Sequence, residues 1–130
     1  MLHCCGKERD LVHILATETD LDSVNPLEIA PMGDCDLGEI KKAYGSKIAL
    51  MGNLHTTDVM RFGTPQDVKR ACLQAILDAG QDGGFILSTG DQCGRDTPDE
   101  NIFTMVETTR TFGQYPLDID RIKEELKRIK

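Results

Sequence analysis

Tryptophan is absent from the 130 residues and aromatic side chains make up only 5% of them. A core built on large rings is therefore excluded, and packing must rest on Ile, Leu, Val, Ala and Met. Long apolar runs are missing too. None approaches the roughly 20 residues needed to cross a bilayer, and the opening MLHCCGKERD lacks the apolar region of a signal peptide. The expectation is a cytoplasmic protein with no membrane partner. Nor is there a basic excess: 15 Lys and Arg stand against 22 Asp and Glu, a formal charge of −7, with the bases scattered among acids. Such a balance argues against a surface that tracks phosphates, so no nucleic-acid partner is expected, and small molecules or proteins are. Linkers, low-complexity segments and close internal repeats are also lacking, so residues 1–130 read as one domain.

What is present is an ordinary globular composition, with 39% hydrophobic and 28% charged residues. A chain of this length can bury roughly two-thirds of its unfolded surface, enough for a real core. Five cysteines in a chain with no export signal point to reduced thiols, and an odd number cannot be fully paired within one molecule. Cys72 falls in a helical apolar pattern and reads as a small core residue, whereas Cys35, in MGDCDLG, reads as loop or helix entry.

Short apolar runs alternate with helical patterns. The runs at 1–5, 21–27, 47–53 and 84–90 read as buried strands covered on both faces. Helices are expected at about 8–18, 37–44, 65–79, 98–112 and 118–129, the last amphipathic through Ile119, Ile122, Leu126 and Ile129. Thr64-Pro65-Gln66-Asp67 and Thr97-Pro98-Asp99-Glu100 each place Thr at an N-cap and Pro at the first helical position; only the second has the Glu of the standard capping box. Alternating strands and helices imply a parallel α/β sheet with right-handed crossovers. Four βα units plus a closing helix make half of an eight-stranded barrel, or a small open sheet. A half-barrel leaves two edge strands unpaired, which favours a homo-oligomer or another chain that completes it.

Working residues in parallel α/β folds sit at the carboxyl ends of strands. Those ends supply His3, Cys5 and Gly6; Asn25 and Glu28; Gly52, Asn53 and His55; and Gly90, Asp91 and Cys93. Residues i and i+2 of a strand share a face, so His3 and Cys5 can grip one ion while Cys4 points away. With Cys93 from another strand end and Glu28 from the one between, a thiolate-imidazole-thiolate set suits Zn²⁺ better than Mg²⁺ or Ca²⁺. A buried strand end with unreactive thiols is the plainer alternative. His55 reads either as a loop histidine capping a backbone group or as a hydrogen-bond donor to substrate, and Asp91 as a ligand or a supporting acid. His13 reads as a structural or surface residue. Gly83-Gly84 permits a tight helix-to-strand connection and is no phosphate-binding motif.

Together, Gly52-Asn53-Leu54-His55-Thr56, Gly63-Thr64-Pro65, GGFILS at 83–88 and Thr97-Pro98-Asp99-Glu100-Asn101 occur in an order that resembles the C-terminal half of the uroporphyrinogen decarboxylase-like family. The likeness runs over roughly residues 1–116. Family members are usually (β/α)₈, or TIM, barrels of more than twice this length, so the resemblance implies the half-barrel architecture and a missing first half. It also implies one of two chemistries. One branch decarboxylates the acetate side chains of uroporphyrinogen III without a cofactor, in porphyrin biosynthesis. The other moves a methyl group between a corrinoid, carried on a partner protein, and a small-molecule thiol, using Zn²⁺ held by an H-x-C pair and a distant Cys. The resemblance to this second pattern assigns His3, Cys5 and Cys93 as ligands, with Glu28 as a carboxylate ligand. Here Gly90 is followed by Asp91, and Cys93 comes two residues later, so either the loop shifts or Asp91 takes the ligand place. The decarboxylase branch typically has His where Asp91 stands, and its carboxylate-clasping arginine and aspartate residues lie chiefly in the N-terminal half. The expectation is therefore a protein of the methyltransferase type, with Asp91 and His55 as candidate catalytic residues. A decarboxylase, or an inactive half-barrel that binds a partner, is the alternative.

Overall fold

A computed structural model describes residues 1–129. Strands β1 (Leu2–His3), β2 (Ser23–Asn25), β3 (Ala49–Leu54) and β4 (Phe85–Thr89) form one parallel sheet in the order β1-β2-β3-β4. Between and after them lie α1 (Arg9–Glu18), α2 (Leu37–Tyr44), α3 (Pro65–Ala79), α4 (Asp99–Phe112) and α5 (Ile119–Arg128). A π-helical turn, Thr56–Arg61, follows β3. No helix among the described residues is long and apolar enough to cross a membrane.

A parallel sheet whose strands follow one another in space, each joined by a right-handed crossover, places every helix on the same face. The register shows the result. Leu2, Val24, Leu50 and Phe85 lie side by side, and Val24 and Leu50 are fully buried beneath the helices. The alternate row faces the other way, where Met51 pairs with Ile86 and Ile86 is 54% exposed. The strands were expected to be covered on both faces; this chain covers one. Their continuous apolar character suits a barrel interior that four strands alone do not enclose.

The main core joins Val12, Leu15, Val24, Ile40, Leu50, Leu54, Met60, Val68 and Cys72. A smaller cluster of Leu73, Ile76 and Ile122 docks α5 on α3, with Leu126 and Ile129 beside it. An ion pair between Lys69 and Glu125 closes the seam, and Arg121 lies over the Phe112 ring at 4.7 Å.

Helix starts differ from the sequence expectation in one respect. The capping box forms at Thr64, which accepts from the Asp67 amide while Asp67 Oδ2 accepts from the Thr64 amide at 2.9 Å. At α4 the N-cap is Pro98 and the Thr97 hydroxyl is buried without a partner among the described residues. The physical reason lies in the preceding turn. The Thr97 amide is committed to Gly94 O at 3.1 Å and Pro98 is extended with ψ 132°, so the helix begins one residue later than the Thr-Pro pattern implies.

These caps make a direct comparison. Thr64→Ala should cost about 1 kcal/mol, and Thr97→Ala should stay within about 0.5 kcal/mol of wild type, since it removes an unsatisfied hydroxyl. Urea unfolding midpoints check both values. The Thr64 hydroxyl and amide hold the Asp67 carboxyl below its ordinary value of 3.8. A depressed acid contributes stability that is full above the unfolded value and is lost as pH falls through the folded one, so the Thr64→Ala deficit should narrow on acidification below pH 3.8.

Candidate metal and thiol site

β1 and β4 are the two edges of the sheet. In a flat sheet three strand spacings of about 4.8 Å would hold them about 14 Å apart. Side chains at their carboxyl ends bridge that span: His3 Nε2 lies 3.2 Å from Cys5 Sγ and, across the sheet, 3.6 Å from Asp91 Oδ1. Side chains from opposite edges of the sheet thus meet at one point. Among the described residues, His3, Cys5 and Asp91 form the group of possible metal ligands whose donor atoms all lie within 4.8 Å of one another.

Local chemistry explains each placement. The Cys4 amide donates to Asn25 O at 3.0 Å, carrying the β1 ladder one residue further and keeping His3 and Cys5 on one side. Gly6 then turns the chain with φ 93°, in the left-handed region that glycine adopts freely, and its amide donates to Glu28 Oε2 at 2.5 Å. At the other edge the Gly90 amide donates to Leu54 O at 2.7 Å, and a side chain at Gly90 would stand 3.2 Å from that same oxygen. The Thr89 hydroxyl donates to Asp91 O at 2.6 Å and fixes the turn that presents the Asp91 carboxylate to His3.

Two expected ligands stand elsewhere. Cys93 is absent from the group; it is half-buried and packs against the main core. Asp91 occupies the place expected of Cys93 because the turn beyond β4 brings the residue directly after Gly90 toward the β1 end. Glu28 is buried, and its carboxylate is engaged by the Gly6 amide rather than joining the group. His55 is also separate from it. Its Nδ1 accepts from the Thr57 and Asp58 amides at 3.2 and 2.9 Å, capping the π-helical turn. A neutral ring that accepts at Nδ1 carries its proton on Nε2, and that buried nitrogen has no hydrogen-bond partner among the described residues. The ring borders a cleft with Glu28, Met32 and Gly90 at the strand ends, and a cavity of about 240 Å³ lined by Leu37, Leu54 and Ala75 on the helical side.

Sequence reasoning missed Glu8. It is fully buried, accepts the Leu27 amide through Oε1 at 2.6 Å, and leaves Oε2 without a partner among the described residues. Its position within the polar run GKERD, just before a helix, reads as solvated helix entry; no sequence signal separates it from its exposed neighbour Arg9.

Electrostatics distinguish the thiols. Burial pushes Cys72 up to about 12, and burial together with the Glu8 charge does the same for Cys35. Desolvation raises the Cys5 thiol above its ordinary value, and Asp91, by charge and hydrogen bond, and Glu28 raise it further. Without a cation the site therefore favours a protonated sulfur. A cation among these acids reverses that preference.

The uroporphyrinogen decarboxylase (URO-D) family model matches residues 1–112. Uroporphyrinogen decarboxylase of Coxiella burnetii (strain RSA 493 / Nine Mile phase I) is 27% identical over 78 residues, which are 60% of this chain and 21% of that protein. The enzyme of the same name from Thermosynechococcus vestitus is 34% identical over 78 residues, 60% of this chain and 22% of its own length. The matched segment thus spans about a fifth of these relatives. Among solved structures, a methyltransferase from Methanosarcina mazei superposes with a TM-score of 0.70 at 19% identity, covering 87% of this chain and 31% of that one. That likeness establishes the fold, a partial TIM barrel.

Thiol reactivity follows from burial and charge. At pH 8 a group with a pKa near 12 is thiolate in about one molecule in ten thousand. Alkylation of the folded protein should therefore label Cys5, which is exposed, and spare Cys35 and Cys72 until denaturant is added. Peptide mass mapping reads the order; early labelling of Cys72 would contradict the packing described above.

Proposed function

The chain belongs to the uroporphyrinogen decarboxylase family, and within it we propose a zinc-dependent methyltransferase role, the methyl group passing between a corrinoid on a partner protein and a small-molecule thiol. The observation that carries the proposal is the spacing around His3 Nε2. Tetrahedral Zn²⁺, with bonds of about 2.0–2.3 Å, separates neighbouring ligand atoms by about 3.3–3.8 Å. The nitrogen stands 3.2 Å from Cys5 Sγ and 3.6 Å from Asp91 Oδ1, so an N, S, O donor set fits that ion with little movement. His3 and Cys5 are exposed, which leaves a further coordination position open to a thiol substrate.

When bound, Zn²⁺ would lower the pKa of a coordinated substrate thiol and make it a nucleophile near neutral pH. The chain's own residues would set the stage for that chemistry. His3 and Cys5 orient the site from β1, and Asp91 supplies negative charge from β4. Glu28 lies one hydrogen bond away as a carboxylate able to exchange Gly6 for the ion, and Cys93 lies behind the Asp91 turn. His55, through its Nε2 proton, is a candidate donor to substrate at the strand ends.

Decarboxylation of a porphyrinogen is the second reading, favoured by the names of the curated relatives. It requires no metal. Zinc content and substrate turnover therefore separate the two. Purified protein equilibrated with Zn²⁺ should hold about one ion per chain and protect Cys5, but not Cys4, from alkylation. Cys5→Ser should abolish uptake, Asp91→Asn should weaken it, and Cys93→Ser should leave it nearly unchanged. Equal loss in the Cys93 and Cys5 variants would reinstate Cys93 as a ligand, and cofactor-free conversion of uroporphyrinogen would favour the second reading.

The open edges of β1 and β4 and the exposed Ile86 face further support association with another half-barrel, a second copy or a complementing chain. Light scattering at micromolar concentration should give a mass above the 14.4 kDa of one chain. A value at 14.4 kDa with cooperative unfolding would refute self-association.

A further inference from the structure

Two acidic side chains cross between neighbouring βα segments, each taking a backbone amide of the other. Glu8, after β1, accepts from Leu27; Glu28, after β2, accepts from Gly6. Glu8 is fully buried, and no Lys, Arg or His pairs with it among the described residues. Burying a carboxyl group with one oxygen unsatisfied is costly, and secondary structure does not require it. Glu8 occupies the N-cap of α1, yet its side chain makes no cap bond there.

What Glu8 does hold is Leu27. This residue adopts φ 61°, in the left-handed region that a leucine ordinarily avoids. Its amide is bound by Glu8, its carbonyl accepts from Asn53 Nδ2 at 3.1 Å, and its side chain is fully buried. The next residue is Glu28. Gly33 packs so closely on the Glu28 carbonyl that a side chain there would stand 2.1 Å from it, and the Cys35 amide donates to the same oxygen at 3.0 Å. The backbone around Glu28 is thus clamped from both directions, and its carboxylate is delivered to the amide immediately after Cys5.

We propose that Glu8 is a positioning residue: by fixing Leu27 it seats Glu28 on the Gly6 amide and so sets where the His3-Cys4-Cys5-Gly6 strand end lies. The consequence for metal affinity rests on the zinc reading given above, while the positional role itself does not. Partners that orient a metal site from behind commonly change its affinity by about 10- to 100-fold when removed.

Backbone hydrogen exchange and Co²⁺ titration, read by the thiolate charge-transfer absorption, test the proposal on Glu8→Ala, Glu8→Gln and Thr64→Ala. Glu8→Ala should accelerate exchange at Leu27 directly and at Gly6 through Glu28, and weaken Co²⁺ binding by about 10- to 100-fold. Glu8→Gln should restore both, because its amide oxygen still accepts from Leu27. Thr64→Ala, which removes a helix cap in another segment, controls for general loss of stability and should change neither. If Glu8→Ala does not fold, Glu8→Asp, one methylene too short to reach, takes its place under the same criteria. Unchanged exchange at Gly6, or failure of Glu8→Gln to restore it, overturns the proposal. If Gly6 responds while wild type takes up no Co²⁺, the positional role stands and the metal reading fails. If wild type and Glu8→Ala bind Co²⁺ equally and Gly6 exchange is unchanged, the metal reading stands and the positional role fails.

Discussion

The handedness of the strand-helix-strand crossover is the constraint from which the remaining architecture follows. Because every crossover turns the same way and the strands lie in chain order, all the helices between strands pack against one face of the sheet. A one-sided load, together with the natural strand twist, curls the sheet away from that layer. His3 Nε2 and Asp91 Oδ1, from residues 88 apart in the chain, lie 3.6 Å from each other where the two edge strands end.

The same geometry decides which chemistry is available. A site assembled from opposite sheet edges depends on the curvature between them, so every strand contributes to it, including β2 and β3, which supply none of the three gathered side chains. Glu28 acts from the loop after β2, and Asn53 from β3. One latches the end of β1, and the other secures the residue that precedes Glu28. Desolvation, and after it the neighbouring acids, raise the Cys5 thiol above its ordinary value, which disfavours a free thiolate there.

Much of this was legible in the residues. Helix α3 runs over 65–79 as expected, because Thr64-Pro65 starts it and Gly80 ends it. The pairing of His3 with Cys5 follows from the two-residue strand period alone. Three features were legible only in part or not at all. Asp91 and Cys93 stood as alternative partners of His3, and Asp91 is the one beside it; the choice stayed open because the direction of a side chain beyond a strand depends on a hydrogen-bonded turn and carries no period. The box at Thr64 rather than Thr97 depends on how the chain enters each helix. Burial of Glu8 contradicts the usual partition of charged residues, and it becomes intelligible only beside the left-handed Leu27.

Asn101 links the two loops that border the site. It is buried in α4, and its side-chain nitrogen donates to both Met60 O and Gly63 O at 2.9 and 2.8 Å, carbonyls at the close of the π-helical turn. A widened turn leaves such oxygens without their usual helical donors, and here a different helix serves them. Arg61 and Asp96 add an exposed ion pair across the same gap. The far end of the loop that begins with Asp91 and Cys93, and the helix after it, are thereby tied to the turn capped by His55. A substitution at Asn101 would thus leave two carbonyls at the end of the His55 turn without that donor and cut their tie to α4.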